Sequence, residues 1–81
     1  MLKIGDKISF KLCSYELTAS WDTPYGIIHM YTFKDIMQRI FIWKTNKLID
    51  KDITEIKSAR IKSFEYYNGQ KEILLTYCKL S

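Results

Sequence analysis

The segment YTFKDIMQRIFIWKT, residues 31–45, decides the fold of this chain of 81 residues. Its β-branched and aromatic residues form two runs separated by residues 35–38, which predicts a β-hairpin. In the second run, RIFIWK at residues 39–44, the two isoleucines point to one face of a strand while Phe41 and Trp43 point to the other. Both faces of one short strand therefore carry large apolar groups.

The length of the turn decides which of these two faces enters the core. A four-residue turn at residues 35–38 pairs Phe33 with Ile40 and Tyr31 with Ile42, because opposed residues of a hairpin share one face. The isoleucine face is then buried, and the two rings of the second strand face the solvent. A turn of three or five residues would change this pairing.

A long bent strand precedes the central hairpin. In residues 7–12 the apolar positions are even, and from Tyr15 onward they are odd, which predicts a β-bulge near Cys13. Residues 20–26 contain the only Pro and end at a Gly, so we predict a loop there. The next strand is predicted to cover residues 26–34.

A second hairpin ends the chain. Residues 55–67 and 70–80 are strand-like, and the Asn-Gly pair at residues 68–69 favours a tight turn between them. Residues 45–54 have too few apolar positions for a stable helix, so we expect a connection with at most one helical turn. The pattern predicts one all-β domain over residues 1–81, a five-stranded Greek-key OB-fold barrel with little or no helix. An SH3-like barrel or another small β-barrel is the alternative.

The charge of the chain favours an anionic partner without requiring one. Thirteen Lys and Arg residues against nine Asp and Glu residues give a net charge of +4. A merely soluble basic surface would explain this charge equally well. The first residues lack the apolar run of a signal peptide, and the chain has no apolar stretch long enough to cross a bilayer. We therefore expect a cytoplasmic protein with no membrane partner.

Candidate catalytic groups are few. The single histidine, His29, lies within a predicted strand, and no nucleophile, zinc or phosphate-binding motif accompanies it. Cys13 and Cys78 have no metal-ligand spacing, so we expect two reduced and buried thiols. The sequence predicts a protein that is not an enzyme and that holds no metal and no cofactor.

Aromatic residues next to cations suggest a surface that binds single-stranded nucleic acid. Aromatic rings stack on unpaired bases, and Lys and Arg contact the phosphates. In OB-folds the face of the second and third strands, with the first and fourth loops, forms the cleft. Burial of the rings in the core is the structural alternative. The candidate contact residues are Trp43, Phe41, Arg39, Lys44, Trp21, Tyr25, Tyr66, Tyr67, Lys62 and Lys71.

The motifs of residues 25–80 support the same expectation. The residues concerned are Tyr31, Thr32, Phe33, Asp35, Ile42, Trp43, Thr45, Ile61, Lys62, Tyr67, Gly69, Lys71, Leu75, Thr76, Cys78 and Lys79. The order of these motifs along the chain resembles that of small OB-fold, nucleic-acid-binding-type domains encoded in phage and mobile-element replication or recombination regions of bacteria. The resemblance implies an OB-fold that binds a single strand. Tyr77 departs from it, because the family has Arg there, and the turn after Asp35 lacks a Gly.

Two functions follow as expectations. The first is non-catalytic binding of single-stranded nucleic acid, with DNA favoured over RNA, in phage or mobile-element replication or recombination. The alternative is a small phage-type module that docks on a host or replication protein through the barrel face or the apolar turn at residues 36–37. Self-association into a homo-oligomer is a further expectation if strand edges stay open.

Overall fold

Five β-strands build the protein. The computed structural model describes residues 2–49 and 52–80, and these residues contain no helix, so none of them forms a helix that could span a membrane. The strands are β1 (Lys7–Thr23), β2 (Gly26–Asp35), β3 (Ile40–Thr45), β4 (Glu55–Tyr67) and β5 (Gln70–Leu80). The predicted all-β class and the predicted number of strands are confirmed.

The strands close into a barrel-like ring in the order β1-β2-β3-β5-β4. The long strand β1 joins the two ends of this order, because its first part pairs with β4 and its second part pairs with β2. Four of the five pairings are antiparallel, and β3 with β5 is parallel. Each strand therefore has two neighbours, although β3 and β5 are far apart in the sequence.

Two β-bulges bend β1, which pairs with both β4 and β2. The predicted bulge is present between Leu12 and Ser14, and the side chains of Phe10 and Tyr15 on its two sides both pack in or against the core. A second bulge, between Leu17 and Ala19, was not predicted. Each bulge adds one residue to β1 and increases its local bend.

The connections are shorter than the sequence pattern suggests. The predicted loop at residues 20–26 is wrong, because β1 continues to Thr23 and only Pro24 and Tyr25 form the turn before β2.

The Asn-Gly turn between β4 and β5 is confirmed, with positive φ at both Asn68 (51°) and Gly69 (79°), as a type I′ turn requires. In the connection after β3, the Ile49 N–H donates a hydrogen bond to the Tyr31 hydroxyl at 2.9 Å.

The central hairpin has a different register from the predicted one. Phe33 lies opposite Phe41, and Tyr31 lies opposite Trp43. The turn holds three residues, 36–38, between Asp35 and Arg39, whose backbones are joined by a hydrogen bond of 3.1 Å. A shift of one residue moves every side chain of β3 to the other face, so the aromatic face is inside.

Asp35 explains why this turn forms. Its carboxylate is 1% exposed, and its Oδ1 accepts hydrogen bonds from the backbone N–H groups of Met37 (3.0 Å) and Arg39 (2.8 Å). Its Oδ2 accepts a hydrogen bond from Arg39 Nε at 2.7 Å. Gln38 completes the turn with φ of 67°, a conformation that three-residue hairpin loops require at their last position. Both faces of β3 are apolar, so hydrophobicity alone does not select the register, and these polar contacts favour the observed one.

The core is aromatic at its centre. Phe41 is 0% exposed and Trp43 is 8% exposed, and the Phe41 ring stacks on Phe10 with 4.0 Å between centroids. Full burial of one phenylalanine contributes about 1.5–3 kcal/mol relative to exposure. The rest of the buried core cluster consists of Tyr31, Phe33, Ile53, Ile56, Ala59, Ile61, Ile73 and Leu75.

Candidate functional site

A groove of about 440 Å³ crosses the outer face of the ring. Its floor is apolar and is formed by Met30 of β2, Ile42 of β3 and Leu74 of β5. The other lining residues, which come from all five strands but are mostly polar, are Thr18, Thr32, Lys44, Glu65, Glu72 and Tyr67. The groove is therefore an apolar strip with polar and aromatic walls, open to the solvent.

The strand register places the floor on the outside. Thr32 lies opposite Ile42, and Ile42 lies opposite Leu74, so the three side chains form one row across β2, β3 and β5. Ile42 and Leu74 are buried, but they do not belong to the cluster of residues that fills the interior. The second apolar face of RIFIWK is thus the isoleucine face, and it lines a groove.

Charges of opposite sign lie on the two sides of this row. Lys44 is two residues beyond Ile42, and Lys62 joins Lys44 around a small depression of about 60 Å³ beside the groove. On the other side of the row, Glu65 and Glu72 lie opposite each other on β4 and β5. The groove therefore has a cationic side and an anionic side.

The predicted stacking surface of Phe41 and Trp43 is wrong. Both rings lie in the core, because the three-residue turn reverses the two faces of β3. Arg39 does not lie free on the surface either, because it pairs with Asp35 and its guanidinium carbon lies 5.3 Å from the Phe41 ring centroid. Phe41 and Trp43 therefore cannot stack on a base, and Asp35 holds Arg39 at the β2–β3 turn.

Three of the predicted contact residues meet at the groove. Lys44 and Tyr67 line it, and Lys62 lines the adjoining depression. Trp21 is exposed and lies opposite Ile28, which shares a face of β2 with Met30 because their positions differ by two. The outer face of the β1–β2 hairpin thus continues the groove floor towards Trp21.

The remaining predicted residues lie elsewhere. Tyr66 and Lys71 lie opposite each other on the face of the β4–β5 hairpin that does not carry Tyr67, and Lys71 Nζ is 4.5 Å from the Phe64 ring centroid. Tyr25 is at the tip of the β1–β2 turn and is almost fully exposed. They therefore contribute no side chain to the groove.

Sequence reasoning missed the apolar floor. The four-residue turn predicts Ile42 on the buried face, and a methionine such as Met30 is expected to fill a gap in the core rather than to contact a ligand. The sequence carries no prediction for Leu74. The available signal was the double apolar face of residues 39–44, which correctly indicates a second, outward-facing apolar surface. This pattern does not show which of the two faces of β3 points outward.

His29 and the two cysteines are the remaining groups with possible chemical roles. His29 Nδ1 is 2.8 Å from the Ser20 hydroxyl, and within residues 2–49 and 52–80 there is no group of three His, Cys, Asp or Glu residues that could hold a metal. Burial raises the pKa of the Cys78 thiol from 9.0 to about 12. Cys13 is exposed and Cys78 is half-buried, so the prediction of two buried thiols is wrong for Cys13 and holds only in part for Cys78.

The groove can bind a ligand that has flat or apolar groups and charges on one side. Its floor offers van der Waals contact, Tyr67 offers a ring, and Lys44 with Lys62 offers positive charge. Comparisons of this chain with protein-family models, with curated proteins and with solved structures gave no match.

Proposed function

We propose that this protein is a non-catalytic OB-fold domain that binds single-stranded nucleic acid, preferably DNA, along the outer groove. A ring of five strands with a long, bent first strand that pairs at both ends supports the OB-fold. In that fold the face of the second and third strands and the two neighbouring hairpin loops bind oligonucleotides. The groove lies over this face, between the β1–β2 and β4–β5 hairpins.

The observation that carries the proposal is an apolar floor with two lysines on one side and an exposed ring, Tyr67, two residues beyond Glu65 on the other side. Tyr67 and Trp21 stand on different hairpins, and Lys44 and Lys62 lie on one side of the floor. A base stacked on a ring contributes about 1–3 kcal/mol, and every base has a flat face. Bases therefore lie on the floor with their phosphates on the lysine side, and the base at the end of the strand stacks on Tyr67, beyond Glu65.

The carboxylates limit where the backbone can pass. Glu65 and Glu72 flank the floor on the side away from Lys44, and they repel phosphates there. A strand that binds the groove consequently keeps its phosphates on the side of Lys44 and Lys62. The proposed setting in phage or mobile-element replication or recombination rests on the motif resemblance alone.

A second candidate function is docking of a protein segment. The apolar floor of Met30, Ile42 and Leu74 and the opposite charges on its two sides also suit an apolar peptide with charged flanks. The two functions differ in their response to salt. Nucleic-acid binding weakens steeply with salt because counterions are released, whereas binding through an apolar floor changes little.

The test is the binding of fluorescent oligonucleotides to Tyr67→Ala and to its matched control Tyr66→Ala. The two tyrosines are adjacent and exposed, but only Tyr67 lines the groove. We expect Tyr67→Ala to weaken binding about 5- to 150-fold, the equivalent of one stacked base, and Tyr66→Ala to have little effect. Equal effects of the two substitutions, or no binding of the unmodified protein at low salt, would refute the proposal.

A further inference from the structure

A second cleft with cationic walls lies between β1, β4 and β5, away from the groove. It has a volume of about 180 Å³ and is mostly polar. Its lining residues are Lys7, Ser58, Ala59, Arg60, Tyr77 and Lys79. Three of the six are cations, and none is a carboxylate. We name it the basic cleft.

The three cations of the basic cleft lie close together on neighbouring strands. Lys7 lies directly opposite Arg60 across β1 and β4, and Lys79 lies opposite Ser58 across β4 and β5. Like charges that oppose each other on a sheet are destabilising. Among the described residues, no ion pair joins a carboxylate to any of these three cations. An anionic ligand would relieve this repulsion.

Arg60 is oriented in advance of binding. Its Nη1 donates a hydrogen bond of 3.0 Å to the backbone oxygen of Gly5. This bond uses one of the five N–H donors of a guanidinium group. The others can bind oxygen atoms of a phosphate, for which the planar shape of the group is well suited.

Tyr77 adds an aromatic ring to the basic cleft at a cost in backbone energy. Its side chain is 76% exposed, and its φ is 54°, in the left-handed region that bulky residues rarely adopt. Glycine would adopt this conformation without strain. The positive φ belongs to a β-bulge, because Tyr77 and Cys78 of β5 oppose the single residue Ala59 of β4. A large exposed ring at this position, where Gly would cost less, beside three cations points to a function of the ring.

Cations connect the groove to the basic cleft. Arg60 lies opposite Thr76 on β5, and Thr76 lines the small depression that contains Lys44 and Lys62. From the groove, Lys44 of β3, Lys62 and Arg60 of β4 and Lys7 of β1 therefore follow one another, with β5 between β3 and β4. The acidic side of the groove, with Glu65 and Glu72, lies in the other direction.

We propose that the basic cleft is a second contact site for single-stranded nucleic acid, with a phosphate on Arg60, Lys7 and Lys79 and a base stacked on Tyr77. A strand longer than the groove then continues across β5 and β4 and ends at this cleft. The proposed path rests on the proposed function of the groove. The phosphate and the ring contact are additional to it.

Oligonucleotides of two lengths test the second contact. One OB-fold holds roughly 4–16 nucleotides, so strands of about 5 and about 20 nucleotides separate binding in the groove from binding along the whole path. The variants are Tyr77→Gly, which removes the ring and suits the backbone, and Arg60→Gln/Lys79→Gln. A matched control is Lys11→Gln/Lys47→Gln, which removes the same charge from exposed lysines outside both sites.

We expect both cleft variants to bind the long strand about 10-fold more weakly and the short strand with unchanged affinity. Loss of the phosphate contact in Arg60→Gln/Lys79→Gln should also lower the slope of log affinity against log salt by about 0.7 for the long strand. Thermal unfolding checks that the variants are folded, and Tyr77→Gly should be at least as stable as the unmodified protein.

Each other result has a definite meaning. Unchanged affinity of the long strand for the cleft variants, with a loss for Tyr67→Ala, refutes the second contact and leaves the proposed function intact. Loss of short-strand binding in the cleft variants but not in Tyr67→Ala refutes the groove and makes the basic cleft the principal site. Absence of binding to either strand at low salt refutes both proposals.

Discussion

Asp35 should be the polar residue whose loss destabilises the fold most. Its buried carboxylate accepts hydrogen bonds from two backbone N–H groups of the β2–β3 turn and from the Arg39 side chain, at 2.7–3.0 Å. These contacts select the three-residue turn and, through it, the face of β3 that enters the core. Replacement by Ala removes all three acceptor contacts at once.

The expected loss follows from the surroundings of these bonds. A hydrogen bond to a charged group contributes about 1.5–3 kcal/mol, so three such bonds set an upper limit of about 4.5–9 kcal/mol. Met37 is exposed and the Arg39 side chain is 38% exposed, so the released donors regain water and the ion pair itself contributes little. We expect Asp35→Ala to lower the free energy of unfolding by about 2–4 kcal/mol. Asp35→Asn keeps an acceptor for the turn and should lose about half as much.

Urea unfolding measures this difference. In a Trp21→Phe background Trp43 is the one remaining tryptophan, and its fluorescence reports directly on the core next to the hairpin. Asp52→Ala is the matched control, because Asp52 is an exposed aspartate of the connection before β4. Substitutions at surface positions usually change the free energy of unfolding by no more than about 0.5 kcal/mol. If the free energies of unfolding of Asp35→Ala and Asp52→Ala differed by no more than this, the contacts of Asp35 would not set the register.

Two further predictions concern the backbone and the buried thiol. Gln38 has φ of 67°, a conformation that Gly adopts without strain and Ala does not. Gln38→Gly should therefore raise the free energy of unfolding, measured in urea, by about 0.5–1 kcal/mol, whereas Gln38→Ala should not raise it. Equal stability of the two variants would contradict this prediction. Because burial raises the pKa of Cys78 from 9.0 to about 12, the unfolded state releases this proton at lower pH than the folded state. The free energy of unfolding should therefore fall as the pH rises from 9 to 12, and the Cys78→Ala variant should lack this part of the decrease. If the free energies of unfolding of the two proteins changed in parallel with pH, the prediction would be wrong.

The burial of Trp43 changes where binding should be sought, but not the chemistry that the sequence suggests. Substitution of Trp43 or Phe41 would damage the core, so weaker binding by such variants would carry no information about a contact. Exposed rings are instead at Tyr67 in the groove, at Trp21 on the adjoining face of the β1–β2 hairpin, and at Tyr77 in the basic cleft. Tyr67 and Tyr77 are therefore the informative positions.

The sequence by itself determined the strands and most of their limits. The alternation in residues 7–12, the bulge near Cys13 and the Asn-Gly turn at residues 68–69 are local features, and each was predicted and observed. Local sequence also indicated that β3 has two apolar faces. These features depend on neighbours within a few residues, so a single sequence is sufficient to recognise them.

Only the tertiary structure decided which face of β3 is inside and which surfaces can bind. The side-chain period of a strand is two, so one residue of register exchanges core and surface. The local hydrogen bonds of Asp35 favour the observed register, and this register places the Phe41 ring against Phe10 of the distant strand β1. The groove joins β3 to β5, and the basic cleft joins β1 to β4 and β5. Such sites arise from pairings between distant segments, whose geometry no local pattern contains.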